Sequence, residues 1–350
     1  MNPANAPTTD VLSEMFTLAD FEAVARDRVT PMAWEYLASG AADETTLRWN
    51  CESFGRIKLN PRVLVDVTRI DTRVKFFGHE LSLPVVLAPV GLQRLYHPDG
   101  EVAAVRGAAG ASATYVISSY STTPLEEISA AASAPLWFQI YLQPDREFTH
   151  DVVRRAEAAG VEAFCVTVDL PVIGVRNRMD RARFAVPAGM SCPHMMEKFT
   201  GSPVTWKDVE WLRSITKLPV ILKGILNPDD ADLAVKNGVS GIIVSNHGAR
   251  DLDTTPATIE ALPRVAERVD GRIPILMDGG IRRGTDVLKA LALGAKAVLI
   301  GRPFCHGLAA GGADGVAKVV DILRKEFEIA MALTGRTSIA SIDRSVIWAD

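Results

Sequence analysis

The sequence predicts an α/β fold, a (β/α)8 TIM barrel with a short N-terminal helical cap and a lid loop after strand 4, and three observations carry that prediction. Eight short runs rich in Val, Ile and Leu recur from residue 83 onward: LPVVLAPV (83–90), TYVISS (114–119), LWFQIYL (136–142), AFCVTVD (163–169), PVILKG (219–224), GIIVSN (241–246), PILMDGG (274–280) and AVLIGRP (297–303). Unbroken apolar runs are what strands buried on both faces require, which is the condition of a parallel sheet covered by helices. Stretches of helical period separate them, among them REFTHDVVRRAEAAG and GTDVLKALALG, and several close on Gly, the residue that stops a helix in a left-handed turn. Eight even units close a barrel; a doubly wound open sheet would show GxGxxG after its first strand, and none follows residues 83–90.

Residues 1–60 precede the barrel, which takes residues 61–350. Within the first segment, TLADFEAVARDRVTPMAWEYLASG reads as two helices separated by Pro31, hence the cap. Residues 177–204, NRMDRARFAVPAGMSCPHMMEKFTGSPV, have no clear period, and an unstructured connection of that length in a compact domain reads as a lid. There is no internal repeat beyond the βα alternation and no low-complexity tract.

Composition narrows the partner. The chain has 350 residues, 48% hydrophobic and 23% charged, enough for a sizeable core. Its 38 basic and 42 acidic side chains are interspersed and leave a formal charge of -4, so neither nucleic acid nor a membrane surface finds a basic footprint. A small molecule is expected instead. The start, MNPANAPTTDVLSEMF, lacks a basic n-region and an apolar h-region, and no apolar run approaches the roughly 18 residues of a membrane span, so a cytoplasmic location is expected. Cys51, Cys165, Cys192 and Cys305 form no CxxC pair, and neither a metal site nor a disulfide framework is expected.

In this fold the chemistry gathers at the C-terminal ends of the strands, so the residues that end each apolar run are the candidates. The runs end in APVGL (88–92), in Ser118 and Ser119, Gln139 and Tyr141, Thr167 and Asp169, Lys223, Ser245 and His247, Asp278, and Arg302. Singly, each could be a solvated loop residue. Together His247, Asp169, Arg250, Lys223 and Tyr141 supply a base, a carboxylate to orient it, two cations and a hydrogen-bond donor, a working set for acid–base chemistry on an anionic substrate. DGGIRRGTD (278–286) and IGRPF (300–304) add a second signal: glycines let backbone amides and a helix N-terminus approach an anion, and Arg282 and Arg302 add charge. A phosphorylated ligand is expected after strands seven and eight, where such sites recur in these barrels.

SNHGARDLD, ILKGI, DGGIRRGTDVLKALALGA, IGRPF, YLASGAADE and FQIYL strongly resemble the FMN-dependent 2-hydroxy acid oxidase and dehydrogenase family, which includes glycolate oxidase, lactate oxidase, mandelate dehydrogenase and 4-hydroxymandelate oxidase. The resemblance runs from about residue 17 to 345. It implies that His247 is the catalytic base and that Asp169 pairs with the imidazolium it becomes. Arg250 would clamp the substrate carboxylate, assisted by Arg176 and the Tyr36 hydroxyl, while Tyr141 would bond the 2-hydroxyl. Lys223 would stand beside flavin N1. The backbone of Pro89, Val90 and Gly91, with Ser118, Gln139, Thr167 and Ser245, would hold the isoalloxazine and ribityl chain; Asp278, Gly280, Arg282, Gly301 and Arg302 would hold the ribityl and phosphate. FMN is expected over FAD or NAD, because a second phosphate site is not visible.

The same resemblance implies oxidation of an (S)-2-hydroxy acid to the 2-oxo acid, with O2 reoxidising the flavin and yielding H2O2, in a homo-oligomer, expected to be a tetramer. Tyr120 stands where glycolate oxidase-like members carry Trp, and Gly91 where several small-acid oxidases carry Ala. Read as space for a larger group, Gly91 and the short lid suggest a bulky or aromatic acid, mandelate or 4-hydroxymandelate, with L-lactate and glycolate as alternatives. A dehydrogenase with another acceptor, and decarboxylation of the oxo acid within the site, stay open. A non-redox barrel isomerase acting on a phosphorylated substrate is the rival from another class, disfavoured by the separate carboxylate clamp.

Overall fold

Successive side chains of a strand point to opposite faces, so in a closed barrel every second residue faces the interior. The computed structural model describes residues 8–196 and 201–348; residues 1–7 of the expected cap, 197–200 of the expected lid and 349–350 of the expected barrel lie outside the described residues. Eight parallel strands close the barrel: β1 (Val85–Leu87), β2 (Thr114–Ser118), β3 (Leu136–Ile140), β4 (Ala163–Thr167), β5 (Val220–Ile225), β6 (Gly241–Val244), β7 (Ile275–Met277) and β8 (Ala297–Ile300), with β8 returning to β1. Each lies within one of the eight apolar runs, β5 extending one residue past its run. Most are shorter than their runs because the polar ends leave the ladder.

Alternation sorts their residues into two cores. Val86, Val116, Trp137, Cys165, Ile221, Ile243, Leu276 and Leu299 pack together inside the barrel. Val85, Leu87, Ile117, Phe138, Val166, Leu222, Val244 and Ile300 join the outer core against the helices. A short antiparallel hairpin, Val74–Phe76 with His79–Leu81, supplies Val74 and Leu81 to the inner cluster, and the Phe77 ring at its turn meets Trp137 edge-on at 5.7 Å. Sequence reading missed this plug, because three-residue strands leave too short a pattern to see.

Each strand is followed by a helix, from Gly100–Gly110 after β1 to the long Arg302–Leu333 after β8, which bends at Gly311 and Gly312. Local rules fix the ends. Asp145 caps Arg146–Ala158 by accepting from the amides of Glu147 and Phe148, and Gly160, Gly238 and Gly294 leave their helices in the left-handed region. Before the barrel, Leu18–Arg28 and Pro31–Ala38 are the two expected helices, with Pro31 as the first residue of the second. Two further helices, Thr8–Ser13 and Thr45–Arg56, were not anticipated. Thr45–Arg56 lies over the top of β7, so closely that a Cβ on Gly280 would stand 1.8 Å from the Asn50 carbonyl oxygen. Among the described residues, no helix is long and apolar enough to cross a membrane.

The connection after β4 is tied down at several points. Asn177–Arg181 forms one helical turn and a half, and Arg178 bridges Glu35 at 2.7 Å and Glu44 at 3.1 Å in the cap. Farther on, His194 is buried: its Nε2 accepts from the Leu125 amide at 3.0 Å, so Nδ1 carries the proton and faces the Ser121 hydroxyl at 3.0 Å. Burial, then the nearby Arg155 charge, lowers its pKa from 6.5 to about 4.

Two outcomes follow. Gly280 combines a φ of +82° with that clash, whereas Gly271 has a φ of +68° and open space, so Gly280→Ala should lose about 2–4 kcal/mol of unfolding free energy in urea and Gly271→Ala only about 1. Equal losses would show that the cap does not close on β7. For His194, the unfolded chain takes up its proton near pH 6.5 and the folded chain only near 4, so stability is lost as pH falls through that window. Between pH 7 and 4.5 the wild type should lose about 2 kcal/mol more than His194→Gln; parallel pH profiles would rule the histidine out as the acid-sensitive anchor.

Candidate active site

The alternation that fills the barrel also builds its mouth. Counting outward from the apolar inner residues, Val116 gives Ser118, Trp137 gives Gln139 and then Tyr141, Cys165 gives Thr167 and then Asp169, Ile221 gives Lys223, Ile243 gives Ser245 and then His247, Leu276 gives Asp278, and Leu299 gives Gly301. The lower layers are apolar and the upper ones polar. They surround a cavity of about 960 Å³, counted with its open mouth. Pro89, Val90, Gly91, Ser118, Tyr120, Gln139, Tyr141, Thr167, Lys223, His247 and Arg250 line it, as do Asp278, Gly280, Arg282, Gly301, Arg302 and the cap residue Tyr36. Asp169, Arg176 and Ser245, also expected at the site, stand behind this wall; Asp169 and Ser245 hold His247, which forms part of it, and Arg176 holds Asp251.

His247 reaches the cavity on strained backbone. His247, Gly248 and Ala249 have φ of 56°, 63° and 61°, three consecutive left-handed residues of which only one is glycine. The turn is pinned from several sides. The Ser245 hydroxyl accepts from the His247 amide at 3.0 Å, and the Asn246 side chain accepts from the Ala249 amide at 3.0 Å. Asn246 and Asn50 exchange reciprocal amide hydrogen bonds at 2.9 and 3.0 Å, and the Ala41 amide donates to the Ala249 carbonyl at 2.8 Å.

Two carboxylates converge on one nitrogen of this histidine. Nδ1 lies 2.9 Å from Asp169 Oδ1 and 3.2 Å from Asp251 Oδ2. Facing two acceptors, Nδ1 holds the proton, and Nε2 is left with a free lone pair. Burial raises the Asp169 pKa, but the charges of His247 and Lys223 outweigh it and hold the carboxyl below its ordinary value. Asp251 goes the other way: burial, reinforced by Asp169, pushes it up despite His247. Asp251 was not singled out in the sequence, although it stands four residues after His247 in the quoted motif. Room for Asp169 comes from β5, whose register shifts between Lys223 and Ile225; a Cβ on Gly224 would meet the Asp169 Cβ at 2.4 Å.

On the neighbouring strand β5, Lys223 donates to the Ser245 hydroxyl at 3.2 Å and lies 3.5 Å from Asp278 Oδ2. Burial opposes its charge, but Asp278 and Asp169 more than compensate, and its pKa lies above the ordinary lysine value. Gln139 Nε2 donates to the Thr167 hydroxyl at 2.9 Å, and its carbonyl accepts from the Ser118 hydroxyl at 3.2 Å.

Three expectations change in detail. Arg176 does not line the cavity: its Nη2 donates to Asp251 at 3.0 Å, and burial together with Arg250 lowers its pKa to about 10. Arg302 lines the cavity but directs Nε, Nη1 and Nη2 at the carbonyls of Leu37, Gly248 and Ser39, at 2.9, 3.0 and 3.0 Å. Gly91 is not a space-making substitution, since a Cβ there would point at Tyr120 and stand 2.4 Å from its Cβ. The position of Tyr120, its Cβ and its carbonyl oxygen at 3.1 Å, accounts for the glycine without reference to the size of a substrate.

The donor set fits the expected flavin nucleotide. Asp278 Oδ1 is buried, without a hydrogen-bond partner, on a residue lining the cavity, an acceptor suited to a ribityl hydroxyl. A Cβ on Gly301 would meet nothing closer than 3.7 Å, so the peptide beside the start of Arg302–Leu333 is open to an anion. Comparison with known proteins agrees. The model of the FMN-dependent dehydrogenase family matches residues 25–349. The chain is 44% identical to a 2-hydroxyacid oxidase of Dictyostelium discoideum, over 97% of this chain and 92% of that protein. It is 43% identical to glycolate oxidase 1 of Oryza sativa subsp. indica, over 97% of each. Among solved structures, mandelate oxidase with benzoyl-formic acid superposes with a TM-score of 0.91 at 42% identity, covering 96% of this chain and 98% of that one. A tyrosine-to-phenylalanine variant of mandelate oxidase with (S)-mandelic acid gives the same TM-score of 0.91, at 42% identity and with 96% and 98% of the two chains covered. The barrel mouth, its donor set and these likenesses converge, and the chain belongs to the FMN-dependent 2-hydroxy acid oxidase and dehydrogenase family, with FMN as its cofactor.

Proposed function

We propose that the protein oxidises an (S)-2-hydroxy acid with a bulky or aromatic side chain to the 2-oxo acid, with O2 as final acceptor and H2O2 as the second product. The observation that carries the chemistry is the His247 imidazole, its Nδ1 between two carboxylates and its ring at the cavity wall. Bound FMN supplies the two-electron acceptor. His247 Nε2 takes the proton that the substrate loses, and Asp169 stabilises the imidazolium that results. Arg250, three residues on, holds the substrate carboxylate. Its Nη1 donates to the carbonyls of Tyr36 and Ser39 at 2.7 and 3.1 Å, which fixes the guanidinium and leaves the opposite edge for a bidentate pair. Tyr141 donates to the substrate oxygen as it becomes a ketone; burial, then Asp169, keeps its phenol protonated far above the ordinary range. Lys223 holds a positive charge where negative charge gathers on reduction.

Aromatic rings around the mouth support the choice of acid. Tyr120 and Tyr141 meet edge to face at 6.1 Å, and Tyr36 stacks at 4.5 Å on Phe184 of the lid. Such surfaces favour a phenyl group over a hydrogen or methyl. The mandelate oxidase structures support the same reading, whereas Gly91 no longer contributes to it.

Two measurements test this reading. His247→Gln should purify yellow yet be reduced by substrate about 10²–10⁴-fold more slowly in anaerobic stopped flow; undiminished reduction would remove His247 from the base role. Anaerobic mixing of the wild type with glycolate, L-lactate and (S)-mandelate should bleach the flavin fastest with mandelate, and air should restore the colour with release of peroxide. Faster bleaching by glycolate or lactate would overturn the aromatic assignment. Slow recovery in air would assign a different acceptor.

A further inference from the structure

One polar group of the cavity has no part in this chemistry. Tyr96 follows a short 3-10 helix, Gln93–Leu95, beyond β1, is 6% exposed, and lines the cavity. Its hydroxyl oxygen is buried and has no hydrogen-bond partner. Buried tyrosine hydroxyls ordinarily find one, because an unmet donor loses its water without replacement. Tyr115, equally buried nearby, receives a hydrogen bond from Gln93 Nε2 at 2.7 Å.

The backbone holds the Tyr96 ring where it is. Its amide donates to the Gln93 carbonyl at 3.0 Å, and the Gln93 amide is itself anchored on the buried Glu101 carboxylate at 3.2 Å. A fixed, buried and unmet donor on a residue that lines a ligand cavity is matched by an acceptor on the ligand. The ionisable groups whose fields reach this phenol are first Cys305, then Tyr36, Arg250 and Arg302. Cys305 and Arg302 belong to the first turn of Arg302–Leu333, the helix whose N-terminus opens on the cavity at Gly301. A helix N-terminus favours an anion, and the anion of the cofactor is its phosphate. Arg302, the first residue of that helix, has its three guanidinium nitrogens on protein carbonyls, so it offers the anion field more than hydrogen bonds.

We propose that Tyr96 donates its phenolic O–H to the phosphate of bound FMN, as a further cofactor-binding residue of this chain. The inference rests on FMN as cofactor and not on which hydroxy acid is oxidised. Apo-protein titrated with FMN, followed by quenching of flavin fluorescence, should show a Kd about 10- to 100-fold higher for Tyr96→Phe than for wild type, the effect of losing one hydrogen bond to a charged acceptor. Riboflavin, which lacks the phosphate, should bind both proteins alike. The ³¹P resonance of bound FMN should also move in the variant, and the melting temperature of the apo-variant should equal or exceed that of the wild-type apo-protein. An unchanged FMN Kd overturns the proposal, whether or not the substrate KM shifts. So does an equal loss of riboflavin affinity, which would assign the hydroxyl to the ribityl chain or ring. A lower apo melting temperature would assign it an internal structural partner instead.

Discussion

One guanidinium ties the catalytic loop to the chain segment that covers it. Arg302 follows the end of β8, half-buried, and donates to carbonyls of two separate stretches: Leu37 and Ser39 from the cap, Gly248 from the loop that carries His247. Burial, then repulsion from Arg250 and Arg282, brings its pKa down to about 9. That cost is accepted because the loop needs an external clamp. Left-handed backbone at His247 and Ala249 costs roughly 1–2 kcal/mol per residue, and a free loop would relax out of it. Arg302, the Asn50–Asn246 pair and Arg250 hold it from the cap side, and Ser245 holds it from the barrel side. The His247 imidazole is therefore positioned by the docking of the N-terminal helices as much as by β6.

Inside that clamp the polar layer has to be nearly neutral, since charges taken out of water are tolerated only in pairs or networks. Lys223 shares Asp278 and the field of Asp169; Arg176 takes Asp251; His247 stands between Asp169 and Asp251. Their opposite shifts give the two aspartates different work. Asp169, held below its usual value, is the durable negative charge beside the imidazole. Asp251, pushed up and bonded to Arg176, links the histidine loop to the start of the lid.

Much of this was legible in the sequence, for a physical reason. Burial on both faces writes a strand as an unbroken apolar run, and the inner layer turning polar at the top writes each active-site residue as the point where its run breaks. His247, Lys223, Asp278 and Gln139 were readable for that reason. What could not be read is what lies opposite what. Gly91 looked like a missing methyl beside a substrate, yet Tyr120 occupies the place where the methyl would go. Gly280 looked like part of an anion site, and its first requirement is the Asn50 carbonyl above it. Asp251, Asn50 and Tyr96 belong to loops and helices whose local pattern reads as ordinary surface, and only the closed barrel brings them to the mouth.

In the proposed function, reaction and specificity consequently fall to different parts of the molecule. The acid–base and flavin-facing groups extend from strands locked in a closed ladder and from a loop clamped by Arg302, so their mutual geometry changes little when the rim changes. The side chain of an acid bound at Arg250 would instead meet Tyr36 from the cap, Tyr120 from the β2 loop and Tyr141 above β3, with Phe184 of the lid stacked on Tyr36. Lid and cap are bound to each other by the Arg178 bridges to Glu35 and Glu44 and by the Phe184–Tyr36 stack. A substitution at this rim can retune which acid fits without moving Nδ1 from its carboxylates. One in the Asn50, Asn246 and Arg302 group would release the strained loop and affect every substrate alike.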